Sequence, residues 1–73
     1  NYLFGQELAA VVSQTLEGLP RELKTALVLR EFDGLSYEEI AEVMECPVGT
    51  VRSRIFRARE TLELKISQQM TGD

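Results

Sequence analysis

Arg52, Arg54, Arg57 and Arg59 fall within eight residues of one another, in the run Val48-Gly49-Thr50-Val51-Arg52-Ser53-Arg54-Ile55-Phe56-Arg57-Ala58-Arg59-Glu60. A guanidinium is a planar fork of donors that pairs bidentately with phosphate oxygens, or with O6 and N7 of a guanine. An apolar side chain set among such groups, here Phe56, can lie against a thymine methyl. Gly49 allows a ligand backbone to approach closely, and a helix starting near it would favour phosphate at its N-terminus. The chemistry on offer is recognition of a polyanion. Catalysis is not expected: the 73 residues hold no histidine and a single cysteine, Cys46. They show no nucleophile–base pair, no phosphate-cradling glycine loop and no metal-ligand spacing, so neither a cofactor nor a metal is expected.

The formal charge of −4 looks hostile to nucleic acid until the chain is divided. Residues 1–46 carry nine acids against Arg21, Lys24 and Arg30, a net of −6. Residues 47–73 carry four arginines and Lys65 against Glu60, Glu63 and Asp73, a net of +2, with no acid between Pro47 and Arg59. One basic docking face on an acidic body follows, with modest affinity in isolation. A chain this short buries only about 60% of its unfolded surface, too little to wall off a deep pocket. The apolar fraction of 44% fits a single globular domain. The lone cysteine fits a cytoplasmic setting. No apolar run approaches the roughly 20 residues of a membrane span, so no membrane insertion is expected.

Four helices should position the basic run. Residues 1–6 are set aside as a possible tag scar or linker, 7–67 as the domain, and 68–73 as a frayed tail. The first helix is expected from about Gln6 to Glu17, with Leu8, Val11, Val12, Thr15 and Leu16 at helical spacing and Gly18 as its C-terminal cap. The second should start on Pro20 and run to about Phe32, ending at Asp33-Gly34. It is apolar on two sides, Leu23 and Leu27 on one, Val28 and Phe32 nearly opposite. Such a helix is central in a fold, or offers a second face to a partner.

Ser36 and Glu39 form the S-x-x-E pattern of a capping box that starts the third helix, with Tyr37, Ile40, Ala41 and Met44 as its buried stripe. Glu45-Cys46-Pro47 ends it, because the residue before a proline is pushed out of helical geometry. The fourth helix should start at Pro47 and run to about Ile66. At about 100° per residue, Val48, Val51, Ile55, Ala58 and Leu62 share one narrow stripe. Gly49, Ser53, Phe56 and Glu60 take the opposite face, flanked by Arg52 and Arg57. An arginine-rich helix face is most often merely solvated, with Glu60 and Glu63 available for local pairs. The capping box, the three-residue turn, the small Ala41 at a helix crossing and the outward Phe56 together favour a helix-turn-helix whose second helix enters the major groove. Cys46 is expected as a small buried hydrophobe. Tyr37 is expected half in the core, with its hydroxyl able to reach a phosphate.

Three stretches carry a family resemblance: Leu19-Pro20-Arg21-Glu22, Leu29-Arg30-Glu31-Phe32-Asp33-Gly34-Leu35-Ser36-Tyr37-Glu38-Glu39-Ile40-Ala41, and Cys46-Pro47 through Arg59. From about Leu8 to Leu64 the chain resembles region 4 of an extracytoplasmic-function sigma factor, most closely the sigma-E type. It departs from a generic helix-turn-helix at Glu45, where glycine is common, and at Arg54, where an apolar residue is usual; both departures are normal for this sigma class. The resemblance implies an all-α, small four-helix domain of sigma region 4 type, winged-helix-like in its helix-turn-helix but with no sheet. It implies binding of the promoter −35 element as duplex DNA, contact with the β flap of the RNA polymerase core, and masking by an anti-sigma factor. By motif, Arg52, Ser53, Phe56 and Arg57 would face base edges, and Arg30, Ser36, Tyr37, Thr50, Arg54 and Arg59 would meet or lie near phosphates. The family's −10-binding region has no counterpart in this sequence, which is not expected to start transcription alone.

Two other readings stay open. A stand-alone helix-turn-helix regulator would need a dimerisation surface and a palindromic site, whereas a sigma domain reads one asymmetric element as a monomer. A protein-interaction module would dock a partner through Val28, Phe32 and Phe56, with DNA incidental.

Overall fold

The computed structural model describes the backbone of residues 2–71 and the side-chain surroundings of residues 7–68. Four helices follow one another, α1 (Tyr2–Gly18), α2 (Arg21–Glu31), α3 (Tyr37–Met44) and α4 (Val48–Thr71), with no strand among the described residues. The all-α, four-helix expectation therefore holds, and α4 packs against each of the other three. At about 1.5 Å per residue, its 24 residues set the long dimension of a molecule measuring 41 × 20 × 15 Å.

Helix ends depart from the sequence reading more than helix cores do. Helix α1 begins at Tyr2, so its backbone runs through residues set aside as scar or linker, and α4 continues to Thr71, well past Ile66. Asn1, Gly72 and Asp73, the outermost residues of the two segments set aside, lie outside the described residues. Helix termini are the least determined part of any pattern reading. Gly18 is not the left-handed cap expected of it: it remains helical, and the Leu19 N–H closes a tight last turn on the Leu16 carbonyl at 3.2 Å. Pro20 stands just outside α2 with extended backbone (φ −54°, ψ 148°) rather than inside its first turn, and its carbonyl accepts from Lys24 N–H at 3.0 Å.

The core is a single cluster of Leu19, Ala26, Leu27, Ile40, Ala41, Val51, Ile55 and Ala58. Helix α4 supplies three of these at the spacing i, i+4, i+7, the inward stripe that its sequence pattern called for. Helix α2 turns Ala26 and Leu27 inward and leaves Phe32, at its C-terminal boundary, 68% exposed. Ala26 is fully buried yet went unread in the sequence, because it lies off both of the apolar sides, Leu23/Leu27 and Val28/Phe32, that the pattern of α2 offers. Its small size is what lets α2 lie close to its neighbours.

Two left-handed residues shape the loops. Gly34 (φ 72°) turns the chain after α2, where Asp33 N–H reaches back to the Val28 carbonyl (3.2 Å) and Leu35 N–H to the Leu29 carbonyl (3.1 Å). Glu45 (φ 56°) ends α3, with its own N–H on the Glu42 carbonyl (3.3 Å) and the Cys46 N–H on the Ala41 carbonyl (3.0 Å). That pair of bonds is a Schellman closure. It satisfies carbonyls that the helix end would leave bare, at the cost of holding a residue with a Cβ where glycine is at ease.

Candidate nucleic-acid interface

The start of α3 is built as its sequence implied. Ser36 Oγ accepts from Glu39 N–H (3.1 Å), and Glu39 Oε1 accepts from Ser36 N–H (2.8 Å), so both halves of the capping box are made. This fixes Tyr37 as the first residue of α3. Its ring lies under two guanidinium groups from two other helices: Arg30 of α2, at 4.9 Å from the ring centroid, and Arg52 of α4, at 5.6 Å. Both are inside the roughly 6 Å over which a cation is drawn to an aromatic face. Arg30 is half-buried and also donates from Nη1 to the Leu35 carbonyl (2.9 Å), so it ties the α2–α3 loop to the ring. Arg52 is exposed.

After the Glu45-Cys46-Pro47 turn, the Pro47 carbonyl accepts from Thr50 N–H (3.0 Å) and Val51 N–H (3.2 Å) and α4 begins. Burial of Val51, Ile55 and Ala58 leaves Gly49, Arg52, Ser53, Phe56, Arg57 and Glu60 exposed. The Phe56 ring is 66% exposed on a helix whose core stripe is already satisfied. It sits between Arg52 and Arg57 in sequence and on the outer face in space. Gly49, Thr50, Ser53, Arg54 and Arg57 line one wall of an open groove, and Pro20, Glu22 and Leu23 line the other.

The four arginines separate into two kinds. Arg52 and Arg57 point outward with no carboxylate partner among the described residues. Arg54 is half-buried and donates from Nη1 to the Cys46 Sγ at 3.8 Å, so it braces the turn. Arg59 donates from Nε to Glu31 Oε2 at 3.1 Å and from a terminal nitrogen to the same oxygen. The hydrogen bond to Glu31, with the charge of that carboxylate, raises the Arg59 pKa further above its ordinary range. Cys46 is half-buried against the core rather than fully enclosed as expected, and the Arg54 guanidinium donates to its sulfur.

Of the residues singled out in the sequence, the fold gathers Arg52, Ser53, Phe56 and Arg57 on one exposed face. It brings Arg30, Ser36 and Tyr37 to the edge of that face. Thr50 lies in the groove, while Arg54 and Arg59 are engaged by groups of the domain itself. Val28 is half-buried; Phe32 stands apart from the arginine face, beside an apolar groove lined by Leu8, Ala9, Val12 and Leu16 of α1. Two residues of the region went unnoticed in the sequence. Glu31 holds Arg59 across 28 positions, and Glu22 lines the same groove as Arg57. No local spacing announces either placement, since each acid is brought in by the packing of α2 on α4. No helix among the described residues is long and apolar enough to cross a membrane.

Comparison with known proteins agrees with this geometry. The family model for sigma-70, region 4 matches residues 9–62, which takes in most of α1, all of α2 and α3, the turn and α4 as far as residue 62. The chain is 60% identical over 70 residues to a protein of Haemophilus influenzae named ECF RNA polymerase sigma-E factor, covering 96% of this chain and 37% of that protein. It is 59% identical over 66 residues to the proteins of the same name from Escherichia coli K12 and Salmonella typhi, covering 90% of this chain and 35% of each. The chain thus spans a little over a third of the length of the curated relatives it matches.

Proposed function

The chain belongs to the sigma-70 region 4 family, and from that premise we propose that it binds the promoter −35 element as duplex DNA, in transcription initiation by an alternative sigma factor of sigma-E type. The observation that carries this reading is the outer face of α4. An exposed phenylalanine stands there between two arginines that have no acidic partner among the described residues, on a helix whose opposite stripe is fully committed to the core. Solvation alone gives no reason to expose a ring there, whereas the major groove offers thymine methyls to Phe56 and guanine edges to Arg52 and Arg57. Ser53 lies on the same face within reach of a base edge.

Phosphates supply the rest of the affinity. Arg30, Ser36 and Thr50 border the reading face on one side, with Arg54 and Arg59 along α4, and contacts of this kind set register rather than sequence preference. The domain acts by binding, as a monomer in the cytoplasm, with no catalytic step and no cofactor. RNA polymerase core is its working partner.

A second surface favours protein contact. Phe32 is exposed beside the apolar groove on α1, away from the arginines, with Val28 on the same helix. This is the surface we assign to the polymerase β flap or to an anti-sigma factor. Replacing Phe56 by alanine separates the two faces. Loss of binding to a −35-type duplex, with unchanged binding to polymerase core, supports the assignment. Unchanged DNA binding would remove α4 from the groove.

A further inference from the structure

The Arg30–Tyr37–Arg52 assembly joins three helices at the edge of the proposed DNA face, and its two cations are not equivalent. Arg30 is half-buried and committed to the Leu35 carbonyl at 2.9 Å, so it holds the ring and the loop in place from the protein side. Arg52 is exposed, and among the described residues it has the ring at 5.6 Å and no hydrogen bond or ion pair. A free arginine side chain gives up rotamer entropy when it is fixed. A side chain already resting on an aromatic face has met part of that cost before the ligand arrives. The capping box of Ser36 and Glu39 in turn fixes the backbone that carries the ring.

We propose that Tyr37 is a positioning residue for base readout: its ring face presents Arg52 to the major groove, and this role is independent of its hydroxyl. The proposal rests on the −35 reading above and goes further, since it assigns the ring rather than the phenol oxygen as the working part. Arg30 completes the device by holding the ring against movement. The platform serves sequence preference, because it acts through an arginine aimed at base edges, and it adds nothing to contacts with phosphate.

The test compares Tyr37→Phe, Tyr37→Leu, Arg52→Ala and the double variant Tyr37→Leu/Arg52→Ala of this chain. Each is titrated against a −35-type duplex, the same duplex substituted one base pair at a time, and a scrambled duplex. Tyr37→Phe should keep affinity and base preference within about twofold, since the ring is unchanged. Tyr37→Leu should lose roughly three- to tenfold on the −35-type duplex, confined to preference at one base pair, with no change on scrambled DNA or in salt dependence. Adding Tyr37→Leu to Arg52→Ala should cost nothing more. In the free chain, NMR should show Arg52 side-chain protons shifted by the ring current in the wild type and in Tyr37→Phe, and not in Tyr37→Leu.

Equal losses for Tyr37→Phe and Tyr37→Leu on every duplex would overturn the proposal in favour of a hydroxyl–phosphate contact. Absence of the ring-current shift would overturn it without touching the −35 reading. A wild-type chain that shows no preference for the −35-type duplex would overturn the −35 reading and, with it, the role in readout, even if the ring-current shift is present.

Discussion

Arg59 of α4 and Glu31 of α2 are joined by two donations to one carboxylate oxygen, across 28 positions of sequence and between the two helices that pack most closely. Both side chains are nearly half exposed, so the pair contributes little to stability, of the order of 0–1 kcal/mol. Its larger effect falls on binding. Arg59 is the last of four arginines along the proposed DNA face, and Glu31 cancels its charge while the domain is free.

Replacing Glu31 by glutamine should therefore release Arg59 to phosphate. Affinity should rise on matched and scrambled duplexes alike, and the slope of log K against log salt should steepen by about one, the value for one additional phosphate contact. Arg59→Ala should weaken binding uniformly, and by more in the Glu31→Gln background than in the wild type. An unchanged slope in Glu31→Gln would show that Arg59 does not meet a phosphate.

Arg57 has no such restraint. It faces the groove between α2 and α4 with Ser53 beside it, and Arg57→Ala should cost about 1–3 kcal/mol on the matched site while relaxing preference at one base pair. Equal losses on matched and scrambled DNA, read by the same titration, would reassign Arg57 to the phosphate backbone. Glu22 lies across that groove, and Glu22→Gln should strengthen binding to all duplexes by removing a charge that repels phosphate.

Glu45 offers a test of the turn itself. It is the one non-glycine residue in left-handed conformation among those described, and that conformation costs a residue with a Cβ roughly 1–2 kcal/mol. Glycine gives back part of this gain through a freer unfolded chain. Glu45→Gly should still stabilise the domain by about 0.5–1 kcal/mol, visible as a rise of several degrees in Tm. A fall in Tm would mean that the Glu45 side chain makes an interaction outweighing the strain.

Ser36→Ala removes one half of the capping box and should cost about 0.5–2 kcal/mol. Because Ser36 also fixes the start of the helix that carries Tyr37, the loss should appear both in chemical denaturation and as weaker preference for the matched duplex. A stability loss without any change in preference would separate the cap from the reading face.

The sequence disclosed those parts of the structure that rest on local rules. Ser36 and Glu39 are three residues apart, and the stripe of Val51, Ile55 and Ala58 follows from helical period alone, so both were legible before any coordinates. Phe56 was legible as the residue left over once that stripe was satisfied. What stayed hidden depends on how helices cross. Glu31 meets Arg59, Arg54 meets Cys46, and Tyr37 meets Arg30 and Arg52 because α2 and α3 both lie on α4. Ala26 escaped notice because it lies off both apolar sides read for α2, and only the way α2 packs turns it inward. The start of α1 and the end of α4 escaped because helix ends follow the apolar period least closely.

The central claim is that the outer face of α4 reads a specific duplex. Fluorescence anisotropy of this chain against a labelled −35-type duplex and a scrambled one, over a series of salt concentrations, tests it most directly. The account predicts tighter binding to the −35-type duplex at every salt concentration, with affinity for both falling as salt rises. Equal and weak binding to both duplexes would contradict it, and would move the working surface from Phe56 to the apolar groove beside Phe32.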